Sequence, residues 1–402
     1  MIVIDILTAI SGNSFGTDMK PHVKIGLLFG FGRAYGRRLC TGVASVALAR
    51  EWELALYSLE DVEQGKAVAD AFIARELDAK TAAALKALGK PVVNIYSDDP
   101  GTGFSTVDCD HEAVGRLAAE HFLAHRFSNF AFCGYEGTVF SDRRGAAFAQ
   151  RLAKEHFECM RYKSPRNALL DFQSDLLKGE WFRMGSDHGR MLKWVSKLPK
   201  PVAVFCSHDI RAYQLAQTCL HAGIDVPREV AILGVDNDEI VCSFSSPMLS
   251  SIDPDASSVG KAAAETLARM LDEPGANPTH IAVPPKEVVV RPSTEVYPLD
   301  PPWLSDALVF IDRNACGKLS SADVVRHLGL SHTPVDRAFR NVLGSSVKES
   351  ISRVRLSTAA HLLKTTTIPI CEVAQRSGFS NGEYFCSCFR EKYGVSPTEY
   401  RR

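Results

Sequence analysis

The 402-residue sequence has no stretch of about 18 apolar residues free of charged or turn residues, so no membrane-spanning helix is predicted. It has no Cys-x-x-Cys pair. Its eleven cysteines are scattered singly apart from Cys386 and Cys388, and an odd number cannot all pair within one chain. This argues against a disulfide framework and points to reduced thiols in a cytoplasmic protein. A Gly-Lys-Ser/Thr phosphate loop, a Gly-x-Ser-x-Gly nucleophile turn and a His-Glu-x-x-His zinc helix are all missing. Met1–Ile10 is apolar but carries Asp5 and no basic start, which makes a poor signal peptide. Residues 1–22 are expected to be loosely ordered.

What is present is an ordinary globular composition, 46% hydrophobic and 23% charged, at a length that suits two or three domains. The formal net charge of −1 hides an uneven spread. From Trp303 to Arg402 there are 14 Lys and Arg against 9 Asp and Glu, a balance of +5, which leaves −6 for the rest. A basic tail on an acidic body fits a nucleic-acid-binding module joined to a part that does not bind nucleic acid.

From Val23 onward, short β-branched or aromatic runs alternate with helical stretches rich in Ala, Leu, Glu and Lys. The runs are Val23–Phe29, Glu53–Ser58, Pro91–Tyr96, Asn129–Cys133, Val202–Cys206 and Val230–Val235, with a last one at Glu287–Val290. Amphipathic stretches such as Arg38–Glu51, Glu112–Ala124 and Arg211–Ala222 follow most of them. Continuous apolar strands separated by helices imply a doubly wound α/β domain with parallel sheets. Two such units fit between Val23 and about Val296, the second opening with the strand after His125-Arg126-Phe127.

Ligands of open parallel sheets sit beyond the carboxyl ends of the strands, so the residues just after each run carry the information. They include Phe31 and Tyr35 after the first run, Phe140 and Arg144 after Asn129–Cys133, Asp209 after Val202–Cys206, and Asp236 after Val230–Val235. Carboxylates accept hydroxyl protons, guanidinium donates as a fork, and rings cover the apolar face of a sugar. The set suits a small polyol, although a strand-end Asp can equally cap the next helix. Three other chemistries are weaker. Gly30-x-Gly32-x-x-x-Gly36, with Glu60 taken as the end of the next strand, resembles a dinucleotide turn, but its spacing is one residue too long and Arg33, Arg37 and Arg38 make it bulky. Ser207, His208 and Asp209 are consecutive and cannot form a relay. His121 and His125, one helical turn apart, lack a third metal ligand. No catalytic constellation, cofactor or metal site is expected.

Prolines 292, 298, 301 and 302 fall within eleven residues and mark a semi-rigid linker, with the domain boundary near Pro298–Pro302. The expected division is 23–297, 298–302 and 303–402. Beyond Trp303 only helical patterns remain. Ser320 or Ser321 caps a helix over Ala322–His327 that ends at Gly329, and Ser331 caps a second one to about Leu343. The pattern returns some fifty residues later as Ile370–Arg376, a turn at Gly378, Ser380 as cap, and Asn381–Tyr393. Phe339-Arg340-x-x-x-Gly344-x-Ser346 aligns with Phe389-Arg390-x-x-x-Gly394-x-Ser396, and Ile351–Leu363 reads as a linking helix. A short helix, a turn and a capped second helix make a helix–turn–helix unit, here duplicated. The outer faces of the second helices supply candidate base readers: His332, Thr333, Asp336 and Arg337 in the first, Asn381, Glu383 and Ser387 in the second. Arg340, Arg353, Arg355 and Arg390 are candidate phosphate clamps.

Gly378-Phe379-Ser380, Tyr384-Phe385 and Phe389-Arg390-x-x-x-Gly394-Val395-Ser396-Pro397-x-x-Tyr400-Arg401 resemble the C-terminal signature of arabinose-regulator-type transcription factors. Asp110-x-x-x-x-Gly115-x-x-Ala118-x-x-His121, Arg144-x-x-x-Phe148, Pro227 and Gly234-x-Asp236 resemble the periplasmic-binding-protein-like effector domain of the lactose-repressor family. Effector domain first and helix–turn–helix pair last is similar to the order in bacterial xylose-operon regulators. Ala34-Tyr35, Val283-Pro284-Pro285 and Asn314-Ala315-Cys316 add to that likeness. The resemblance implies ligand contacts from Arg144, Asp209 and Asp236. It also implies a sugar-responsive regulator, an activator of pentose (xylose) catabolic genes, working as a homodimer on double-stranded DNA with RNA polymerase as a further partner. The competing reading is a sugar- or nucleotide-converting α/β enzyme fused to a DNA-binding tail.

Overall fold

The computed structural model describes residues 23–75, 79–96, 103–165, 186–275 and 277–401, so the expectation for residues 1–22 lies outside it. The chain divides into two compact units. One is built from the chain up to Asp110 together with Asp255–Pro285, the other from His111–Pro254 together with Lys286–Arg402.

The first unit holds a six-stranded sheet of β1 (Lys24–Leu28), β2 (Glu53–Leu56), β3 (Ala71–Ala74), β4 (Val92–Asn94), β5 (Ser105–Cys109) and β11 (His280–Val283). Their order is β11-β5-β4-β3-β1-β2, with every pairing parallel. The second unit holds β6 (Phe130–Cys133), β7 (Cys159–Arg161), β8 (Val202–Cys206), β9 (Val230–Val235), β10 (Ser250–Asp253) and β12 (Glu287–Val289). Their order is β12-β10-β9-β8-β6-β7, and only the β10–β12 pairing is antiparallel.

The seven runs expected as strands all form strands. The five strands that sequence reading passed over are short or polar. β3 is Ala-Phe-Ile-Ala between Asp70 and Arg75, and β10 is Ser-Ser-Ile-Asp. Ser250 and Ser251 are nevertheless fully buried. The Ser250 hydroxyl donates to Arg291 O at 2.8 Å and that of Ser251 to Asp209 Oδ1 at 2.5 Å, so a polar strand lies in the interior with its hydroxyls satisfied. The division into units also differs from two consecutive blocks, because the helix Ala256–Asp272 and strand β11 return to the first unit.

The tail is all helix: Trp303–Asn314, Ser321–Leu328, His332–Ala338 continued by a π-turn over Phe339–Leu343, Val347–Thr365, Ile370–Arg376, Gly382–Tyr393 and Pro397–Arg401. The repeat seen in the sequence is a repeat in three dimensions. Val324, Val335 and Phe339 are fully buried in one core, and Val373, Phe385 and Phe389 in the other. The linking helix gives Val347 and Ile351 to the first core, and Leu356, Ala359 and Leu363 to the second. Each recognition helix ends on a left-handed glycine, Gly344 (φ 66°) or Gly394 (φ 77°), which an L side chain would disfavour. Each is followed by a reciprocal Ser–Glu capping box, Ser346–Glu349 or Ser396–Glu399. Ser320 is the cap of the first short helix, paired with Asp323. Ser380 is not the cap of the second recognition helix; Asn381 is, because its Oδ1 accepts from the amides of Glu383 and Tyr384. The proline stretch is packed rather than free: Tyr297 and Leu299 lie against the first helical core.

Replacing a fully buried ring leaves a cavity that a helical core cannot collapse. Phe339→Ala is expected to cost about 3–5 kcal/mol in urea unfolding, and a loss below about 1 kcal/mol would contradict its place in the core.

Candidate ligand site and nucleic-acid interface

In the second unit Phe140 and Arg144 follow β6, Asp209 follows β8 and Asp236 follows β9, so all four stand beyond the carboxyl ends of three adjacent strands. Arg144, only 4% exposed, comes from the helix Val139–Ala153 and donates through Nη1 to Ser207 O at 2.6 Å. Its guanidinium lies 5.3 Å from the centre of the half-buried Phe140 ring, while its Nε meets no acceptor among the described residues. The His208 ring sits 6.1 Å from that of Phe140 and 5.4 Å from that of Tyr135. His208 Nδ1 accepts from Arg211 N at 3.0 Å and caps the helix Asp209–His221, which assigns the neutral ring with its proton on Nε2.

Asp209 is more committed than expected. Instead of standing open at a strand end it is 1% exposed, with Oδ1 accepting from Ser251 Oγ at 2.5 Å and Oδ2 from Asp238 N at 2.8 Å. The Cys242 thiol lies 3.5 Å from the same Oδ2. A Cβ at residue 234 would fall 2.2 Å from Asp209 Oδ1, so only glycine fits there. Burial, and then the neighbouring Asp236 carboxylate, push Asp209 well above the ordinary carboxylate range. Asp236 itself is half-buried and has a backbone φ of 106°, which strains a residue with a Cβ, and Asn237 follows at 46°. Asn237 is held by Ser251 Oγ, 2.9 Å from its amide, and by Arg291 Nη2, 2.8 Å from its Oδ1. The neighbouring Asp238 does what a strand-end Asp does by default and caps the helix Glu239–Phe244.

The same unit holds a buried pair that sequence reading missed. Arg211 forks onto Asp187 at 3.1 and 2.6 Å, with Tyr162 donating to the same carboxylate at 2.9 Å. Burial alone would raise Asp187, but the Arg211 fork and the Tyr162 hydroxyl outweigh it and hold the carboxylate below its usual range. The Arg211 guanidinium packs on the rings of Tyr135 (4.8 Å) and Tyr162 (5.1 Å). Arg211-x-x-Gln214 just after a strand end was the one available signal, since Gln214 also accepts from Arg211 at 3.0 Å.

In the first unit Phe31 lies in the turn after β1 and Tyr35 in the first turn of the helix Ala34–Ala49. Phe31 is half-buried, 5.5 Å from the Phe29 ring, and Tyr35 is buried under the Arg75 guanidinium at 5.1 Å. Asn94, at the end of β4, is fully buried, and neither end of its carboxamide has a partner among the described residues. A Cβ on Gly36 would lie 2.0 Å from Gly30 O, so the glycine spacing serves a tight strand-to-helix turn. Arg37 Nη1 staples that turn through Gly32 O at 3.1 Å. Glu60 sits inside the helix Leu59–Glu63 rather than at the end of a strand, which removes the acidic partner of the dinucleotide reading. The His121 and His125 rings lie tilted, their centres 4.4 Å apart, and bond to Thr294 Oγ1 and to the His121 carbonyl respectively. Among the described residues no three His, Cys, Asp or Glu side chains converge to hold a metal.

On the tail, His332, Thr333, Asp336, Arg337 and Arg340 are exposed while Val335 and Phe339 face inward. Asn381, Glu383, Ser387 and Arg390 are exposed on the second helix, opposite Phe385 and Phe389. Two expectations change. Asn381 spends its carbonyl oxygen on its own helix, so the two-point fork onto adenine is no longer open to it. Arg355 is no phosphate clamp: it donates to the carbonyls of Ala315 (2.7 Å), Gly317 (3.1 Å) and Leu319 (3.1 Å). Arg353 lines a cavity of about 740 Å³ together with Asp312, Tyr297 and His125.

Because Asp209 is raised, the folded chain holds a proton that the unfolded chain releases. That contribution to stability is full at acid pH and is lost as pH climbs from the ordinary carboxylate range through the raised folded value. Asp209→Asn removes this decline. The variant should gain on the parent in urea unfolding as pH rises above the ordinary carboxylate range, and parallel profiles would contradict the assignment.

Comparison with known proteins identifies both regions of the chain. Residues 119–294 match the periplasmic binding protein-like domain family, and residues 324–402 match a helix-turn-helix domain family. The xylose operon regulatory protein of Haemophilus influenzae is 26% identical over 95% of this chain and 99% of its own length. That of Escherichia coli K12 is 28% identical over 95% of this chain and 97% of its own. A solved structure described as a xylose-binding transcription activator is 27% identical, covers 96% of this chain and 99% of that one, and superposes with a TM-score of 0.60. The chain therefore belongs to the helix-turn-helix transcriptional regulators that carry a periplasmic-binding-protein-like domain, the architecture of the xylose operon regulatory proteins.

Proposed function

We propose that the chain is a pentose-responsive activator, with D-xylose as its effector, acting in the cytoplasm as a homodimer and without turning the sugar over. The observation that carries this reading is the strained Asp236 carboxylate beside Asp209, together with the Arg144 guanidinium on the Phe140 ring. Asp236 accepts hydroxyl protons, Arg144 donates to sugar oxygens and Phe140 covers the apolar face. Asp209, with both oxygens already taken, positions this set. Within the first unit, Phe31 and Tyr35 offer aromatic surface beyond the end of β1. The relatives that match along their whole length are xylose operon regulatory proteins, which supports the choice of sugar.

The effector region runs from residue 23 to about 297, and the DNA-reading tail from 303 to 402, joined by 298–302. Sugar binding favours one arrangement of the paired subunits only by its differential affinity for that arrangement. Two recognition helices per protomer let each tail span two successive turns of major groove, and an activator so placed presents a surface to RNA polymerase.

In calorimetry with D-xylose, Arg144→Ala should weaken binding by about ten- to a hundredfold and leave DNA binding without sugar intact; unchanged sugar affinity would refute its role. D-xylose incubated with the protein and nicotinamide cofactors should be recovered unchanged, and conversion abolished by Asp236→Asn would make the chain an enzyme. Arg337→Ala should cost about 1–3 kcal/mol at one base position, whereas an equal loss on every sequence would make it a phosphate contact.

A further inference from the structure

The helix His111–Ala124 of the effector region ends in a Schellman turn: Phe127 N bonds to Phe122 O at 3.3 Å and Arg126 N to Leu123 O at 2.9 Å. Such a turn needs a left-handed residue at the position of Arg126, and glycine is the residue that fits it without cost. Arg126 occupies it at φ 63°. Its side chain leaves the effector region altogether and donates through Nη1 to the carbonyl of Val342 at 3.2 Å.

Val342 belongs to the π-turn Phe339–Leu343 that continues the first recognition helix. Its carbonyl is one of the last in that helix, and the amide four residues on is unavailable, since Ser346 N donates to Glu349 Oε2 at 2.6 Å. A cation at this negative end of the helix suits the direction of its dipole. Among the described residues the equivalent carbonyl of the second unit, that of Lys392, receives no donor from the effector region, although the capping box beside it is the same. The effector region therefore holds the recognition helix of one duplicated unit directly, through Arg126, and not that of its twin. One further contact braces the same side, Tyr297 to Asp312 at 2.6 Å, while His361, on the half of the linking helix that feeds the second core, lies 3.5 Å from Glu287.

We propose that Arg126 is a positioning residue through which the effector region sets the first recognition helix on DNA, while the second helix follows through the linking helix Val347–Thr365. Glu51 and His156 close two other helices in the same left-handed conformation, so what sets Arg126 apart is the carbonyl that its side chain reaches. The π-turn it holds is the segment of that helix with a ready alternative register, α in place of π, so the contact acts where the helix is most easily re-aimed. The base-reading part of the inference rests on the tail alone; its sugar part rests on the proposed pentose response.

The test compares Arg126→Gly and Arg126→Lys in the full chain, using duplexes selected by the unaltered protein from a random-sequence library. Arg337→Ala identifies the base positions read by the first helix. Arg126→Gly relieves the backbone, so its melting temperature should equal or exceed that of the parent. Its base preference should flatten by about fivefold at the first-helix positions and stay intact at the second-helix positions. The ratio of DNA affinities with and without D-xylose should fall toward one while D-xylose affinity itself is unchanged, and Arg126→Lys should restore both behaviours in part. Unaltered base preference overturns the proposal. So does a uniform loss at all positions with a lowered melting temperature, which would make Arg126 a structural brace only. If the parent binds no D-xylose, the pentose reading fails and the base-preference comparison still decides this one.

Discussion

The candidate ligand site depends on one buried carboxylate. Asp209 draws together the ends of three neighbouring strands: its own at β8, the β9 end through Asp238 N, and β10 through Ser251 Oγ. Gly234 leaves the room for this and burial supplies the low dielectric in which the bonds are strong. The strain at Asp236 follows. With Asp238 pulled toward Asp209 and Asn237 clamped by Arg291 and Ser251, residue 236 turns through a φ that few side chains accept, and its carboxylate is held near a neighbour of like kind. Strain of this sort persists only where the surroundings over-determine it, and β8 and β9, fully buried along their length, provide that frame.

The tail solves a different problem. Two small helical units cannot each bury enough surface alone, so one linking helix contributes to both cores. Inside, the units are near copies, with Phe339 matching Phe389 and Gly344 matching Gly394. Outside they diverge. The first presents Arg337 and Arg340 with few internal obligations, whereas the second presents Glu383, Arg390 and an Asn381 already spent as a cap. Equal cores with unequal faces are what two linked readers of different base sequence require.

Much of this was legible in the sequence, for reasons that also mark the limits. β8 and β9 are continuous apolar runs because both of their faces are covered, and such runs announce themselves. β10 is Ser-Ser-Ile-Asp, and β3 is four residues long; a strand whose hydroxyls are satisfied by distant side chains leaves no local hydrophobic signal. The helix–turn–helix pair was visible because its period repeats. The strand-end argument reached Phe140, Arg144, Asp209 and Asp236, but it could not tell that Asp209 is consumed by protein donors, since Ser251 lies forty-two residues away. Arg211 with Asp187, and Arg126 with Val342, were equally out of reach, being pairs joined only by the fold.

The central claim is that a sugar settles on the carboxyl ends of β6, β8 and β9 in a protein that reads DNA with its tail. Hydrogen exchange of the full chain with and without D-xylose tests it most directly. The amides of 207–209 and 236–238 should exchange more slowly with the sugar present, and those of the first recognition helix should change with them. Exchange that is the same at both loops at saturating D-xylose would contradict the account.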